Sequence, residues 1–382
     1  MLRVLMLSKA CIVGIYQRKL EHIAAQGVDL RVIVPPSWRD ERGEQALERV
    51  YTSGYDLRVL PMRFNGNFHL HYYPGLLRAA RDFRPHIIHI DEEPYNLAAW
   101  QAQYVARSVG ARTLFFSWQN ITRRYPPPFT WGERWMLRTV DHALVGTESA
   151  AAVWRAKGYS GPLDVVPQFG IDPELFQPTS DDKNPDQPFT FGYIGRLVPE
   201  KGILDLLHAL SLLDDIHWHL RIVGSGPQKA DLIQQAEKLG INERLTFVDW
   251  VPSTQMPAQY AHLDALVLPS RTRPNWKEQF GRVLVEAMAS GVPVIGSDSG
   301  AIPGVIGEAG LIYAEGNRHQ LSARLRQLVT QPNQRQQLAQ RGRERVLKHF
   351  THHSVASASV RAYEDIARRY TQRSLASVSA PD

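Results

Sequence analysis

Two carboxylates late in the chain, Glu278 and Glu286, stand with seven residues between them in LPSRTRPNWKEQFGRVLVEAMASGVPVIGSDSG, residues 268–300. A carboxylate accepts two hydrogen bonds side by side, which suits paired hydroxyls. Between the two acids, Gln279, Phe280, Gly281 and Arg282 bring main-chain N–H groups to the start of a predicted helix, and such a terminus favours an anion. Upstream, FGYIGRLVPEKGILDLL (residues 191–207) places Gly195, Arg196 and Lys201 after a strand-like run. Arg196 can bind a phosphate bidentately and Lys201 as a point charge, and cations held there stabilise the charge of a departing diphosphate. A ligand that is part phosphate and part polyol, such as a nucleotide sugar, matches both sets. A bare pair of acids at this spacing reads as a solvated loop acid and a helix-surface acid; the flanking FG, EAMA and GVPV carry it beyond that.

These side chains need particular elements to hold them. The run 263–268, apolar apart from Asp264, predicts a buried parallel strand that breaks into a loop carrying Pro269, Ser270, Pro274 and Asn275. Val283, Leu284, Ala287 and Met288 then fall at helical spacing, and Gly291 closes the helix before a strand at 293–296. In such a βαβ unit ligands bind outside the carboxyl ends of the strands, so Glu278 is predicted at the mouth of a cleft, with Glu286 about two helical turns on. Strand-like runs at 2–7, 30–34, 86–90, 113–117, 143–145 and 164–166 alternate with helical patterns such as 17–25 and 98–109. The pattern restarts at 189–194, 219–223, 245–248, 266–268 and 294–296. Alternation of this kind predicts parallel sheets, and 382 residues exceed what one core serves, so two α/β domains are expected. The predicted division is 1–180 and 181–353, then an amphipathic helix over 354–372 and a disordered tail over 373–382.

In the form EQFGRVLVEAMASGVPVIGS this stretch closely resembles the signature of the retaining glycosyltransferases of family 4, which have the GT-B fold. The similarity is strong over 191–316, moderate around VPQFGIDPELFQP (166–178) and weak before that. The resemblance implies two Rossmann-like doubly wound domains facing across a cleft, with the last helix crossing back to the first. It implies retaining, metal-independent and cofactor-free hexosyl transfer from a UDP-, GDP- or ADP-sugar to a sugar or lipid hydroxyl, as in polysaccharide biosynthesis. It assigns Glu278 to the donor sugar, Glu286 to the ribose, and Arg196 and Lys201 to the diphosphate, with Glu278, Arg196 and Lys201 as the catalytic set. Gly195, Gly224 and residues 279–282 would line the phosphate side of the donor, and main-chain amides near Val251 the base. In the first domain it places Gly14 against the diphosphate and acceptor, and Asn120 near the donor sugar. Two departures stand out: KACIVGIYQRK (9–19) has one glycine where the family often has two, and Trp118, Gln119 and Asn120 follow 113–117 where many members carry a His.

The remaining features narrow the field. Gly224 and Gly226 imitate the start of a dinucleotide fingerprint, but Lys229 holds the third glycine position, so a tight turn is expected. His89 reads as a structural histidine. Asp91, Glu92 and Glu93 read either as an acceptor-side cluster or as a solvated loop, and Trp250 either as core or as a neighbour of the base. No D-x-D occurs, and the single Cys11 excludes an internal disulfide and a cysteine zinc site. A net charge of +6 and a pI near 9.4 admit nucleic acid, anionic lipid or a phosphorylated substrate, but no basic block or nucleic-acid motif accompanies them. No apolar run approaches a bilayer span, and the chain enters a strand at once, so a cytoplasmic protein is expected. ITRRYPPPFTWGERWMLRTV (121–140) interleaves arginines with aromatics, which suits either peripheral contact with an anionic membrane or a loop packed on the first domain. Other readings left open are a GT-B sugar-nucleotide epimerase, a nicotinamide oxidoreductase lacking its full fingerprint, and a non-enzymatic nucleotide-sugar or nucleic-acid binder.

Overall fold

The computed structural model describes residues 1–40, 43–178, 187–249, 251–252 and 255–378, so Trp250 and most of the polar segment 179–188 lie outside the described residues. The chain divides into two units, Met1–Gly170 with His352–Asp382, and Ile171–Thr351.

The first unit is built on a parallel sheet of β1 (Leu2–Leu7), β2 (Val28–Val34), β5 (Asp56–Val59), β6 (Ile87–Ile90), β7 (Arg112–Ser117), β8 (His142–Val145) and β9 (Leu163–Val165), in the order β5-β2-β1-β6-β7-β8-β9. A small antiparallel hairpin, β3 (Ser37–Asp40) and β4 (Gly43–Ala46), stands apart. Alternate residues of one strand enter opposite cores: Leu5 and Leu7 on one face, Val4 and Met6 on the other. Burial on both faces explains why these strands read as unbroken apolar runs. The helix His352–Val378 covers one face, where Val355, Val360, Tyr363 and Ile366 join the core with Val4 and Met6. Tyr363 OH lies 2.7 Å from His89 Nδ1, and burial pushes that imidazole well below its usual basicity.

The second unit carries β10 (Phe189–Ile194), β11 (Trp218–Val223), β12 (Leu245–Val248), β13 (Ala265–Leu268), β14 (Val294–Ser297) and β15 (Leu311–Tyr313), all parallel in the order β12-β11-β10-β13-β14-β15. Phe191, Tyr193, Leu220 and Val267 face one core, and Ile194, Val223, Leu266 and Leu268 the other. The strand order reverses between β10 and β13 here and between β1 and β6 in the first unit. At such a switch point the loops leave the sheet in opposite directions and open a crevice.

Two boundaries differ from expectation. The units part at Gly170/Ile171 and not at 180/181, because Ile171 N–H donates to the Phe350 carbonyl at 2.9 Å and Phe176 is buried in the second unit's core. The last helix starts at His352 and runs to Val378, past the expected end at 372. Its final stretch, RSLASV, contains good helix formers and no breaker.

Candidate active site

The two loops that leave the second unit's switch point carry Lys201, after β10, and Glu278, after β13. They approach closely because Gly202, at φ 68°, has no side chain: a Cβ there would stand 1.9 Å from the Pro269 carbonyl oxygen. Pro269 ends β13, and Gly281, at φ 74° ψ 54°, turns the chain into the helix Arg282–Ala289. The result is direct contact. Lys201 Nζ lies 2.6 Å from Glu278 Oε2, and the buried Ser270 hydroxyl donates to the same oxygen at 2.9 Å. The Lys201 ammonium also sits 5.0 Å from the Trp276 ring centroid, where the ring face attracts it. Glu278 is only 7% exposed, so each charge of the pair depends on the other.

Eight residues on, Glu286 is held at both oxygens: Tyr260 OH donates to Oε2 at 2.7 Å, and Arg282 Nε to Oε1 at 2.7 Å. Tyr260 is fully buried, and burial followed by the Glu286 charge pushes its phenol well above the usual value. It therefore stays a donor and fixes the carboxylate.

Arg196 follows β10 with its side chain 59% exposed and 3.7 Å from Glu200, while its carbonyl accepts from Tyr193 OH at 2.7 Å. Gly195 and Gly224 end β10 and β11 against each other: Gly195 N–H donates to the Val223 carbonyl at 3.0 Å, and a Cβ on Gly224 would lie 2.0 Å from the Gly195 oxygen. Gly226 likewise passes the Leu197 carbonyl where a Cβ would be 2.4 Å away. The apparent dinucleotide fingerprint is thus two glycines that let neighbouring loops pack. Val251 is partly buried against the second unit's core, Gln279 is exposed, and Phe280 packs on Phe350 with ring centroids 5.8 Å apart.

Gly14 and Asn120 belong to the first unit. The amide of Gly14, offered by the resemblance to a diphosphate, donates here to Glu48 Oε2 at 2.7 Å, and Val50 fills the space beside it. Asn120 is buried after β7, next to Gln119, whose Oε1 accepts from Lys157 Nζ at 3.1 Å. The acidic cluster after β6 is not a solvated loop. Asp91 accepts from Ser8 at 2.5 Å and Gln168 at 3.0 Å, Glu92 pairs with Lys9 and lies 3.4 Å from His71, and Glu93 accepts from Ser117 at 2.5 Å and the Trp118 N–H at 2.8 Å. Burial opposes ionisation of Glu92, but Lys9 and His71 together hold it down to about 2. Burial pushes the Glu93 carboxyl up to about 7.

Three side chains of the second unit's cluster escaped the sequence reading as functional groups. Ser270 appeared only as a loop residue, although its place directly after a strand end and Pro269 was a signal. Trp276, inside the same loop, carried none. Tyr260, on a helix in another part of the sequence, could be found only through the fold.

The model for glycosyl transferases group 1 matches residues 177–345, and that for a glycosyl transferase 4-like domain matches residues 15–168. The 2-deoxystreptamine glucosyltransferase of Streptomyces kanamyceticus is 27% identical over 262 residues, 65% of this chain and 66% of that relative. A glycogen synthase of Mycobacterium tuberculosis is 34% identical over 175 residues, 45% of this chain and 41% of the relative. The chain thus spans less than two thirds of the length of either curated relative. Among solved structures, a sucrose-phosphate synthase from Thermosynechococcus elongatus superposes with a TM-score of 0.69 at 21% identity, covering 97% of this chain and 100% of that one. That likeness establishes the GT-B fold. With one glycosyltransferase model on each unit and that fold beneath them, the chain belongs to the group 1, family-4-type glycosyltransferases.

Proposed function

We propose that the protein transfers a hexose from a nucleoside-diphosphate sugar to a hydroxyl acceptor, with retention at the anomeric carbon and without a metal. The observation that carries this reading is the Lys201–Glu278 contact of 2.6 Å at the second unit's switch point. It sets a cation suited to a diphosphate beside a carboxylate suited to sugar hydroxyls. Lys201 and Arg196 receive the diphosphate, Glu278 the transferred sugar, Glu286 the ribose, and main-chain groups of 279–282, Gly195, Gly224 and Val251 the rest of the donor. The two cations stabilise the charge that develops on the leaving phosphate, the term that usually contributes most to such a step. The acceptor attacks on the face from which the diphosphate departs, and the departing phosphate oxygen takes its proton, so no protein nucleophile takes part. The glucosyl chemistry in the name of the Streptomyces relative supports a hexose donor. The acceptor is a sugar or lipid hydroxyl; in this reading Gly14 serves the diphosphate and acceptor, and Asn120 the donor sugar.

Thermal-shift measurements with UDP-, GDP- and ADP-hexoses test the reading. One of the three is expected to raise the midpoint by several degrees at 100-fold its Kd, since binding then adds about 2.7 kcal/mol. No shift from any of them would remove the transferase assignment.

A cytoplasmic location with peripheral membrane contact forms part of this proposal, and one surface favours it. Trp131 is 65% exposed on the helix Phe129–Thr139, beside exposed Arg123, Arg124, Arg134 and Arg138. No described helix is long and apolar enough to cross a membrane. Vesicles containing phosphatidylserine are expected to carry the protein to the top of a density gradient at low salt and to release it at high salt. Protein left at the bottom at low salt would end the membrane reading.

A further inference from the structure

The Lys201–Glu278 pair has two unequal members. Glu278 is fixed in place: the buried Ser270 hydroxyl holds its Oε2, and its carbonyl accepts from the Ala301 N–H at 3.0 Å. Gly300, at φ 57°, lies so close to its main chain that a Cβ would stand 2.3 Å from the Glu278 oxygen. Lys201 is a compact charge on a flexible stem, 2.6 Å from the carboxylate and 5.0 Å from the Trp276 ring. An anion that reaches Lys201 must share its ammonium with a carboxylate that cannot withdraw.

Donor and product differ in what they bring to this arrangement. The terminal phosphate of a free nucleoside diphosphate ionises a second time near neutral pH, so it carries about one more negative charge than the same phosphate esterified to a sugar. It also brings no hydroxyl to that end of the site. The nucleotide sugar brings less charge to the ammonium and hydroxyls that donate to the carboxylate.

We infer that Glu278, besides receiving the sugar, selects against the released nucleoside diphosphate by holding part of Lys201's charge, so that product leaves and fresh donor replaces it. The inference rests on the proposed reading of the ligand as a nucleoside-diphosphate sugar. It assigns to one carboxylate the discrimination between the two species that contend for the site in every turnover.

Isothermal titration with UDP, GDP and ADP, and with the matching hexose nucleotides, tests it on the full chain, on Glu278→Gln, on Lys201→Ala and on the double variant. The diphosphate that binds the wild-type protein is expected to bind Glu278→Gln about tenfold tighter, the effect of freeing one charged hydrogen-bond donor. The matching nucleotide sugar is expected to bind that variant more weakly. The gain is expected to vanish when Lys201→Ala is also present. A gain that survives without Lys201 would mean simple repulsion by Glu278 and would overturn the sharing argument, as would unchanged or weaker diphosphate binding in Glu278→Gln. Glu278→Ala serves as the second variant if Gln disturbs the Ser270 bond, with the unliganded melting midpoint reporting that each protein is folded. Wild-type protein that binds none of the three diphosphates would bring down the proposed function as well; binding without the gain would bring down this inference alone.

Discussion

Lys201→Ala is expected to lower kcat/KM for sugar transfer by about 10³-fold, the loss typical of removing a group that stabilises charge developing in the transition state. Two effects combine. The leaving diphosphate loses a charge-assisted partner, and Glu278, 7% exposed, loses its counter-ion. A carboxylate left enclosed without its cation loses the partner that offsets its burial and helps hold it in place for the sugar hydroxyls. Binding of the nucleoside diphosphate should weaken by about 10- to 100-fold, because only the first effect acts on it. Steady-state kinetics with the donor identified by thermal shift, together with titration of the diphosphate, measures both. A loss of less than about threefold in kcat/KM would take Lys201 out of the reaction. Arginine is a poor replacement, since its planar fork presents different geometry from the point charge that meets Glu278 and Trp276.

The largest expected effect on stability comes from a residue that touches no ligand. Gly202→Ala forces a Cβ to within 1.9 Å of the Pro269 carbonyl oxygen, which is main chain and cannot swing aside. Either the loop after β10 or the end of β13 must move, at a cost of about 3 kcal/mol or more. The second unit supplies a matched control. Gly240 has nearly the same backbone angle, φ 67° against 68°, and nothing within 4 Å of where its Cβ would be. Gly240→Ala therefore pays only for the left-handed backbone, about 1 kcal/mol. For a unit of this size each kcal/mol moves the melting midpoint by about 2–4 °C, so Gly202→Ala should fall by about 6–12 °C and Gly240→Ala by about 2–4 °C. Equal drops would show that backbone angle, and not the approach of the two loops, is what the glycine serves. Because that approach brings Lys201 to Glu278, Gly202→Ala should also lose transfer activity at temperatures where it remains folded.

Much of the fold was legible because strands buried on both faces write themselves as apolar runs. β1, β10 and β12 coincide with their predicted spans, and the neighbouring strands of both sheets differ by a residue or two. The strands that were not legible lack that signature. β4 is exposed at every position and reads GEQA, β5 turns two of its four residues outward at the sheet edge, and β15 is three residues long. The apposition of Lys201 and Glu278 was predicted only as convergence on one ligand. Their direct ion pair depends on how two loops cross at the switch point, which no local pattern encodes. Gly14, assigned a ligand role through the resemblance, has local partners that no motif announced: its amide donates to Glu48 Oε2, and Val50 lies beside it.

The helix His352–Val378 shares a core with β1, yet more than three hundred residues separate them along the chain. The second unit is in effect an insertion, spliced between β9 and the helix that seals the sheet to which β9 belongs. During synthesis the amino-terminal sheet emerges first, but the core around Val4, Met6 and Val32 stays incomplete, with only first-unit residues such as Leu20 and Ile23 to cover it, until everything from Ile171 to Thr351 has left the ribosome. The order of translation is therefore not the order of completion: the half made first is the half finished last.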